Sequence, residues 1–208
     1  MSPVAKLPEK AGKRERTKAA NRTAILAAAK RVFARIGVEA TTVRDIIRET
    51  DLAAGTFYNY FKSKEEVFQA IAEESTKRFR PRLKTVRESA RTFEEYVRVA
   101  YGEFFHWLRE ENEEAIVDGA PHHALVGVRV DTPEMHAIFD EIRNDLVTAA
   151  QVANVSIPDP EYFTAAAIGI AREVGDHMLQ RRPVDADKAA DFATQLVLRG
   201  GLALIEKK

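Results

Sequence analysis

The chain of 208 residues contains no cysteine, which removes disulfides, thiolate metal sites and cysteine nucleophiles together. It has no apolar run approaching the ~20 residues that a membrane-spanning helix needs. Its first residues, MSPVAKLPEKAGKRERTK, are basic but lack the apolar stretch of a secretory signal. A cytoplasmic location without a membrane partner is therefore expected. There is no Val/Ile/Thr-rich alternation of the kind that marks strands, and no internal repeat. No G-x-S-x-G, P-loop, dinucleotide fingerprint or H-E-x-x-H is present, so neither an enzyme nor a cofactor is expected. What remains is 45% hydrophobic and 31% charged, a composition that can bury a core and is not that of a disordered chain.

The net charge of zero hides a split. Residues 1–64 hold 14 Lys/Arg against 6 Asp/Glu, a balance of +8, and residues 65–208 carry the compensating −8. A basic end points to a polyanionic partner. A solvated basic tail would give the same count, because Lys6, Lys10, Lys13, Arg14, Arg16 and Lys18 crowd a leader that contains Pro and Gly.

Helical periodicity runs through nearly the whole chain. Ile25, Ala29, Val32, Phe33 and Ile36 recur at helical spacing over Ala20 to Ile36, and Gly37 is a natural stop. Thr42 with Asp45 predicts a capped second helix from Val43 to about Thr50. A turn at Asp51 to Ala54 leads into a third short helix, Ala54 to Phe61. Ser63 with Glu66 opens a fourth, which Pro81 is expected to end or kink. Thr92 with Glu95, Thr132-Pro133, Asp159-Pro160 and Asp185 mark further helix starts. The last helix is expected to reach about Ile205, and Glu110 to Val130, broken by Gly119-Ala120-Pro121, has no clear assignment. The fold class is all-α: a small basic three-helix head, a connecting helix and an acidic helical bundle.

Within the head, the stretch AAGTFYNYFKSKEE, Ala53 to Glu66, sets four aromatics into five positions. Helical spacing puts Phe57 and Phe61 on one face, as the core of a small domain requires, and turns Tyr58 away from it. Tyr60 fits either role. Two short helices joined by a tight turn make a helix-turn-helix, whose second helix enters the DNA major groove. Thr56 and Asn59 then face base edges, where Asn suits adenine and a Thr or Ala54 methyl meets a thymine methyl. Tyr58 and Tyr60 offer hydroxyls to phosphates. Lys64 and Thr42, each at a helix start, add a phosphate-directed cation and hydroxyl.

The run TTVRDIIRETDLAAGTFYNYFKSKEEVFQAI, Thr41 to Ile71, resembles the DNA-binding signature of the TetR family of bacterial transcription regulators. The upstream helix fits as well, with Phe33, Gly37 and Thr42 where that family has them, followed by Ile46, Gly55-Thr56-Phe57-Tyr58, Tyr60-Phe61 and Ser63-Lys64-Glu65-Glu66. The resemblance covers about a quarter of the chain. It implies a homodimeric repressor whose head binds a double-stranded, near-palindromic operator and whose body binds a small molecule. Two departures stand out. Asp51 replaces the family's usual Gly, and is expected to tolerate the left-handed backbone of that turn. Ala53 and Ala54 lead the recognition helix without hydrogen-bonding side chains, which shifts base reading to Thr56, Asn59, Arg44 and DNA shape. Lys13, Arg14, Arg16, Lys18 and Arg22 are expected to follow phosphates or the minor groove.

The expected organisation is a flexible basic leader at 1–18, the helix-turn-helix domain at 19–64, and a ligand-binding and dimerisation domain at 65–208. Dimerisation is assigned to the last two helices, because YFTAAAIGIA is apolar almost all round and Gly200 and Gly201 permit close backbone approach. Phe104, Phe105, Trp107, Leu108, Phe139 and Phe163, with Met135 and Met178, are candidates for an apolar effector pocket, and each also reads as ordinary core. Glu173 and His177, four residues apart on an apolar helix, read as a buried polar pair that needs a partner or a ligand. His106, His122 and His123 lack metal-ligand spacing, and no metal is expected. The competing reading is a constitutive or architectural DNA-binding protein without an effector.

Overall fold

The computed structural model describes residues 12–117, 132–202 and 206–207. The chain divides into two compact units, Met1–Ile71 and Ala72–Lys208. The first contains α1 (Lys13–Ile36), α2 (Val43–Arg48), α3 (Ala54–Tyr58) and the opening turns of α4 (Lys64–Ser89). The second contains the rest of α4, then α5 (Phe93–Glu111), α6 (Glu113–Val117), α7 (Pro133–Val152), α8 (Pro160–Gln180) and α9 (Ala186–Leu202). Strand pairing among the described residues is confined to two residues on each side, β1 (Val155–Ser156) against β2 (Glu206–Lys207), antiparallel. The fold is all-α, as composition and periodicity indicated.

Most helix starts follow from their caps. Thr42 accepts from the Asp45 N–H while the Asp45 carboxylate accepts from the Thr42 N–H, a reciprocal capping box. Thr92, Thr132, Asp159 and Asp185 each accept from the backbone N–H three residues on. At Ser63 the box is offset: its hydroxyl accepts from Glu66 N–H, but the Glu66 carboxylate reaches back to the N–H of Lys62, at 2.6 Å. Gly37 closes α1 at φ 81°, a value that costs a side-chain-bearing residue far more than glycine.

Three expectations about the backbone are corrected. Helix α1 begins at Lys13, so residues 13–18 of the expected leader are helical. A basic run without apolar period gives no amphipathic signal, yet Lys, Arg, Glu and Ala are all good helix formers. Pro81 lies inside α4 without ending it. The lost hydrogen bond costs about 3 kcal/mol, offset by burial of Phe79, Leu83 and Val86 along the continuing helix. Asp51 does not adopt positive φ; among the described residues only Gly37 and Asn154 do. The turn is instead closed by Thr50, whose hydroxyl donates to Ile47 C=O at 2.8 Å and accepts from Leu52 N–H. The stretch containing Gly119, Pro121, His122 and His123 lies outside the described residues.

The second unit is built on α5, which buries Phe93, Tyr96, Val97, Tyr101, Phe105, Trp107 and Leu108. Helix α8 packs closely on it: a Cβ at Gly175 would stand 2.6 Å from Leu108 Cδ2. Tyr101 ties the two helices through its hydroxyl, donating to Ala167 C=O at 3.0 Å, and burial pushes its phenol pKa up. Helix α4 is held by ion pairs on both flanks, Arg78–Glu111 and Arg82–Glu110 to α5, and Arg80–Glu141 with Arg87–Asp145 to α7. Thr164 and Thr194 are buried with hydroxyls that find no partner among the described residues. An unpaired buried hydroxyl carries a desolvation cost that an isosteric methyl does not. Thr164→Val and Thr194→Val are each expected to raise stability by up to ~1 kcal/mol, or ~2–4 °C in Tm. A thermal melt that falls for either variant would show that its hydroxyl has a partner.

Candidate functional sites

The head places its aromatics on two sides. Phe57 and Phe61 are buried with Ile25, Val32, Phe33 and Ile46, and Phe57 meets Phe61 at 6.2 Å between centroids. Tyr58 lies edge-on against Phe57 at 5.4 Å yet is 58% exposed. Ala53, Ala54 and Asn59 are exposed, and Thr56 and Tyr60 half-buried. The helical part of α3 stops at Tyr58, so Asn59 and Tyr60 sit on the turn that follows, not on the expected helix to Phe61. The outward surface of α3 is thus led by Ala53 and Ala54 and continued by Thr56, Tyr58 and Asn59.

Of the remaining candidates in the head, Thr42, Lys64 and Arg22 have structural partners. Thr42 gives both its N–H and its hydroxyl to the Asp45 carboxylate, at 2.9 and 2.6 Å, so a phosphate at this helix start would have to share them. The Lys64 ammonium donates to the carbonyls of Val38 and Glu39, both at 2.8 Å, pinning the start of α4 to the α1–α2 connection. Its third N–H remains for an anion. The Arg22 guanidinium lies 5.6 Å from the Phe61 ring centroid, a cation–π contact. Arg44 is exposed, and Arg48 and Lys62, which the sequence reading did not single out, are exposed with it; none of the three makes an ion pair among the described residues. Also missed was Glu49, whose carboxylate takes Arg31 and Arg35 at 3.4 and 3.2 Å and so joins α1 to α2. Two arginines at helical spacing were visible, but not their partner 14 residues further on.

Hydrogen bonds hold the head's carboxylates in their charged form: from Thr42 at Asp45, from Arg35 at Glu49, from Ser63 at Glu65, each lowering the pKa below its ordinary value. A lowered folded-state pKa gives stability that is present above the unfolded value and is lost as pH falls through the folded one. Asp145, in the second unit, has the opposite sign. Burial raises its pKa against the opposing Arg87 contact, so its contribution is present at low pH and lost as pH rises through the raised value. The double variant Asp45→Asn, Glu49→Gln is expected to lose less stability than the parent between about pH 5 and pH 3, measured by urea melts at both pH values. Equal losses would show that these carboxylates do not drive the acid limb.

In the second unit the structure gathers Phe104, Phe105, Trp107 and Leu108 at one end of α5. Phe79 of α4 meets Phe104 at 5.7 Å and Trp107 at 4.9 Å, and Phe104 meets Phe105 at 5.3 Å. Phe163 is elsewhere, against Phe93 at the start of α5. Phe139 is half-buried on α7 and makes no ring contact among the described residues. The buried pair expected at Glu173 and His177 is not buried. Both are exposed on α8, and the Glu173 carboxylate is taken by the neighbouring Arg172. They share a face with Tyr162, Ala166 and Ile170, of which Tyr162 and Ala166 are exposed while Ile170 packs against the core. The inward stripe, one residue along and 100° round, carries Phe163, Ala171, Val174 and Met178. His106 is paired with Asp187 at 3.0 Å. No cluster of three metal-ligating side chains occurs among the described residues.

Residues 25–71, the part of the head that carries this arrangement, match the profile of bacterial regulatory proteins of the tetR family. That segment is a tetR-family DNA-binding domain. Over 49 residues it is 49% identical to the HTH-type transcriptional regulator YfiR of Bacillus subtilis, a stretch that spans 24% of this chain and 24% of that relative. Whole-chain likeness to tetR-family folds comes from solved structures. The fatty acid degradation regulator FadR of Bacillus halodurans is 21% identical, with a TM-score of 0.66 over 92% of this chain and 98% of that one. FadR of Bacillus subtilis, solved in complex with stearoyl-CoA, is 19% identical, with a TM-score of 0.67 over 86% and 98%. Among the described residues no helix is long and apolar enough to cross a membrane.

Proposed function

We propose that the chain is a ligand-responsive DNA-binding transcriptional regulator, a homodimeric repressor that leaves a near-palindromic operator when a small, largely apolar molecule binds the second unit. The observation that carries this reading is the division of AAGTFYNYF: Phe57 and Phe61 are buried while Thr56, Tyr58 and Asn59 form an outward surface beside exposed Arg44, Arg48 and Lys62. The inward residues fix the orientation of α3, and the outward ones supply base-edge and phosphate contacts. Such a head reads one half-site, so a two-fold protein reads two, ~34 Å apart or a multiple of that.

Dimerisation through α8 and α9 is supported by what one chain leaves uncovered. Tyr162, Phe192 and Leu196 are 78%, 59% and 47% exposed, Ala165 and Ala166 are exposed between them, and Gly169 and Gly200 have open space where a side chain would stand. Apolar surface of this kind on two adjacent helices is interface surface. The complex of FadR of Bacillus subtilis with stearoyl-CoA supports an apolar effector in a body of this fold. Release is a population shift, and moving occupancy of the binding-competent state from 99% to 1% takes ~5.5 kcal/mol of differential effector affinity.

The test is selection of random double-stranded DNA on the purified protein, followed by salt titration of the enriched site with Thr56→Ala and Asn59→Ala beside the parent. A two-fold-symmetric site with a steep salt slope, weakened by both changes, is expected. A flat salt response would end the DNA-reading proposal. Operator affinity that no small molecule changes would leave a constitutive or architectural DNA-binding protein.

A further inference from the structure

Trp107 is 9% exposed, and its indole N–H, fully buried, finds no acceptor among the described residues. A buried donor left unpaired carries the full desolvation penalty of the group, and Trp N–H groups in protein interiors ordinarily find a partner. The surroundings explain why none is at hand. The indole is packed by Phe79 at 4.9 Å and Phe104 at 5.9 Å, rings whose faces and edges offer no oxygen. Outside this aromatic seam between α4 and α5, Arg78 is held by Glu111 and Arg82 by Glu103 and Glu110, which commits the nearby cations and carboxylates to one another. One turn before Phe79 on α4, the Thr76 hydroxyl meets Met135 Sδ of α7 at 3.2 Å. Methionine is unbranched and adapts to occupants of different shape.

We infer that the Trp107 indole N–H is the hydrogen-bond donor to the effector, and that the effector presents a neutral oxygen acceptor on an apolar body that packs against the aromatic seam of Phe79 and Phe104. This deepens, and rests on, the effector-binding reading above. Neutrality follows from the charges on the page. Arg78 and Arg82 are already paired, so a carboxylate brought to the indole would be buried without a counter-ion, and an unpaired buried charge costs far more than one hydrogen bond returns. A ketone, ester or amide carbonyl satisfies the donor at no such cost. Anchoring at Trp107 would bear on α4 and α5 together, because the seam it enters is the one those two helices share.

Acetophenone and α-methylstyrene make the decisive probe pair, since they share a shape and differ only in C=O against C=CH2; benzoate adds the charged case. Trp107 is the single tryptophan of the chain, so its emission reads this site alone. On the full-length protein, acetophenone is expected to shift the emission and to bind about tenfold tighter than α-methylstyrene, with benzoate the weakest. In Trp107→Phe, followed by calorimetry, acetophenone and α-methylstyrene are expected to bind equally. Equal binding of the two probes to the parent, a carbonyl preference that survives Trp107→Phe, benzoate as the tightest of the three, or no binding of any probe at millimolar concentration would each overturn the inference. The parent comparison decides even if the variant fails to fold. Operator titration with acetophenone present separates the two proposals: carbonyl-selective binding with unchanged operator affinity would keep the site and sink its coupling to DNA.

Discussion

Phe192→Glu is expected to convert the proposed dimer to monomers at micromolar concentration and to lower operator affinity by about a hundredfold or more. Phe192 is exposed on α9 of the single chain and faces away from the core formed by Ala189, Ala190, Ala193 and Val197. A substitution there changes the stability of the chain itself by no more than ~0.5 kcal/mol. In a two-fold interface the same patch lies on both partners, so one substitution removes two aromatic anchors and introduces two buried charges. A single buried aromatic anchor is worth ~2 kcal/mol or more, and the effect here is doubled before the charges are counted. Each freed monomer retains one head, and loses the gain that a tethered second head confers. Sedimentation across a concentration series, with an operator titration on the same samples, measures both effects. Val152→Glu, on a still more exposed apolar residue of α7, is the control. A Phe192→Glu protein that still sediments as a dimer would move the interface off α9.

The helix starts were legible because a cap is a local object: Thr42 with Asp45, Thr92 with Glu95, and Pro after Thr132 or Asp159 need only their own neighbours. The outward side of α3 was legible for a similar reason, since a five-residue helix that must bury Phe57 has little choice about where Tyr58 points. Glu173 and His177 were misread because periodicity identifies an apolar face without saying what covers it. On α8 both faces are apolar, and only tertiary packing shows that Phe163 and Val174 look in while Tyr162 and Ala166 look out. Pro81 does not end α4 because a local penalty of ~3 kcal/mol is outweighed by burial along the continuing helix, which the sequence alone does not show. The orphaned indole of Trp107 had no sequence signal at all, because an unpaired donor is defined by what three separate helices fail to bring near it.

The second large effect is a contrast between adjacent residues of α3. Phe57→Ala is expected to cost about 3–5 kcal/mol, since its ring is 1% exposed and meets Phe61 and Tyr58. A head of this size commands only a few kcal/mol in total, so the variant should lose head structure and all operator binding. The second unit has its own core around Phe105 and Leu179, and its Trp107 emission is expected to stay unchanged. Tyr58→Ala removes a ring of similar size one position along. Because that ring is exposed, the melting curve should move by no more than ~0.5 kcal/mol, while operator affinity falls by roughly 1–3 kcal/mol, about five- to a hundredfold. The slope of affinity against salt should stay as it was, because a tyrosine hydroxyl on a phosphate releases no counterion. Backbone hydrogen exchange across residues 43–61, run beside operator titrations at three salt concentrations, separates these outcomes. If Tyr58→Ala unfolds the head as Phe57→Ala does, the four aromatics are one core and the outward reading of α3 fails. If it spares the fold and weakens the operator at constant salt slope, Tyr58 is a contact to DNA, and its outward position is explained by what lies outside the chain.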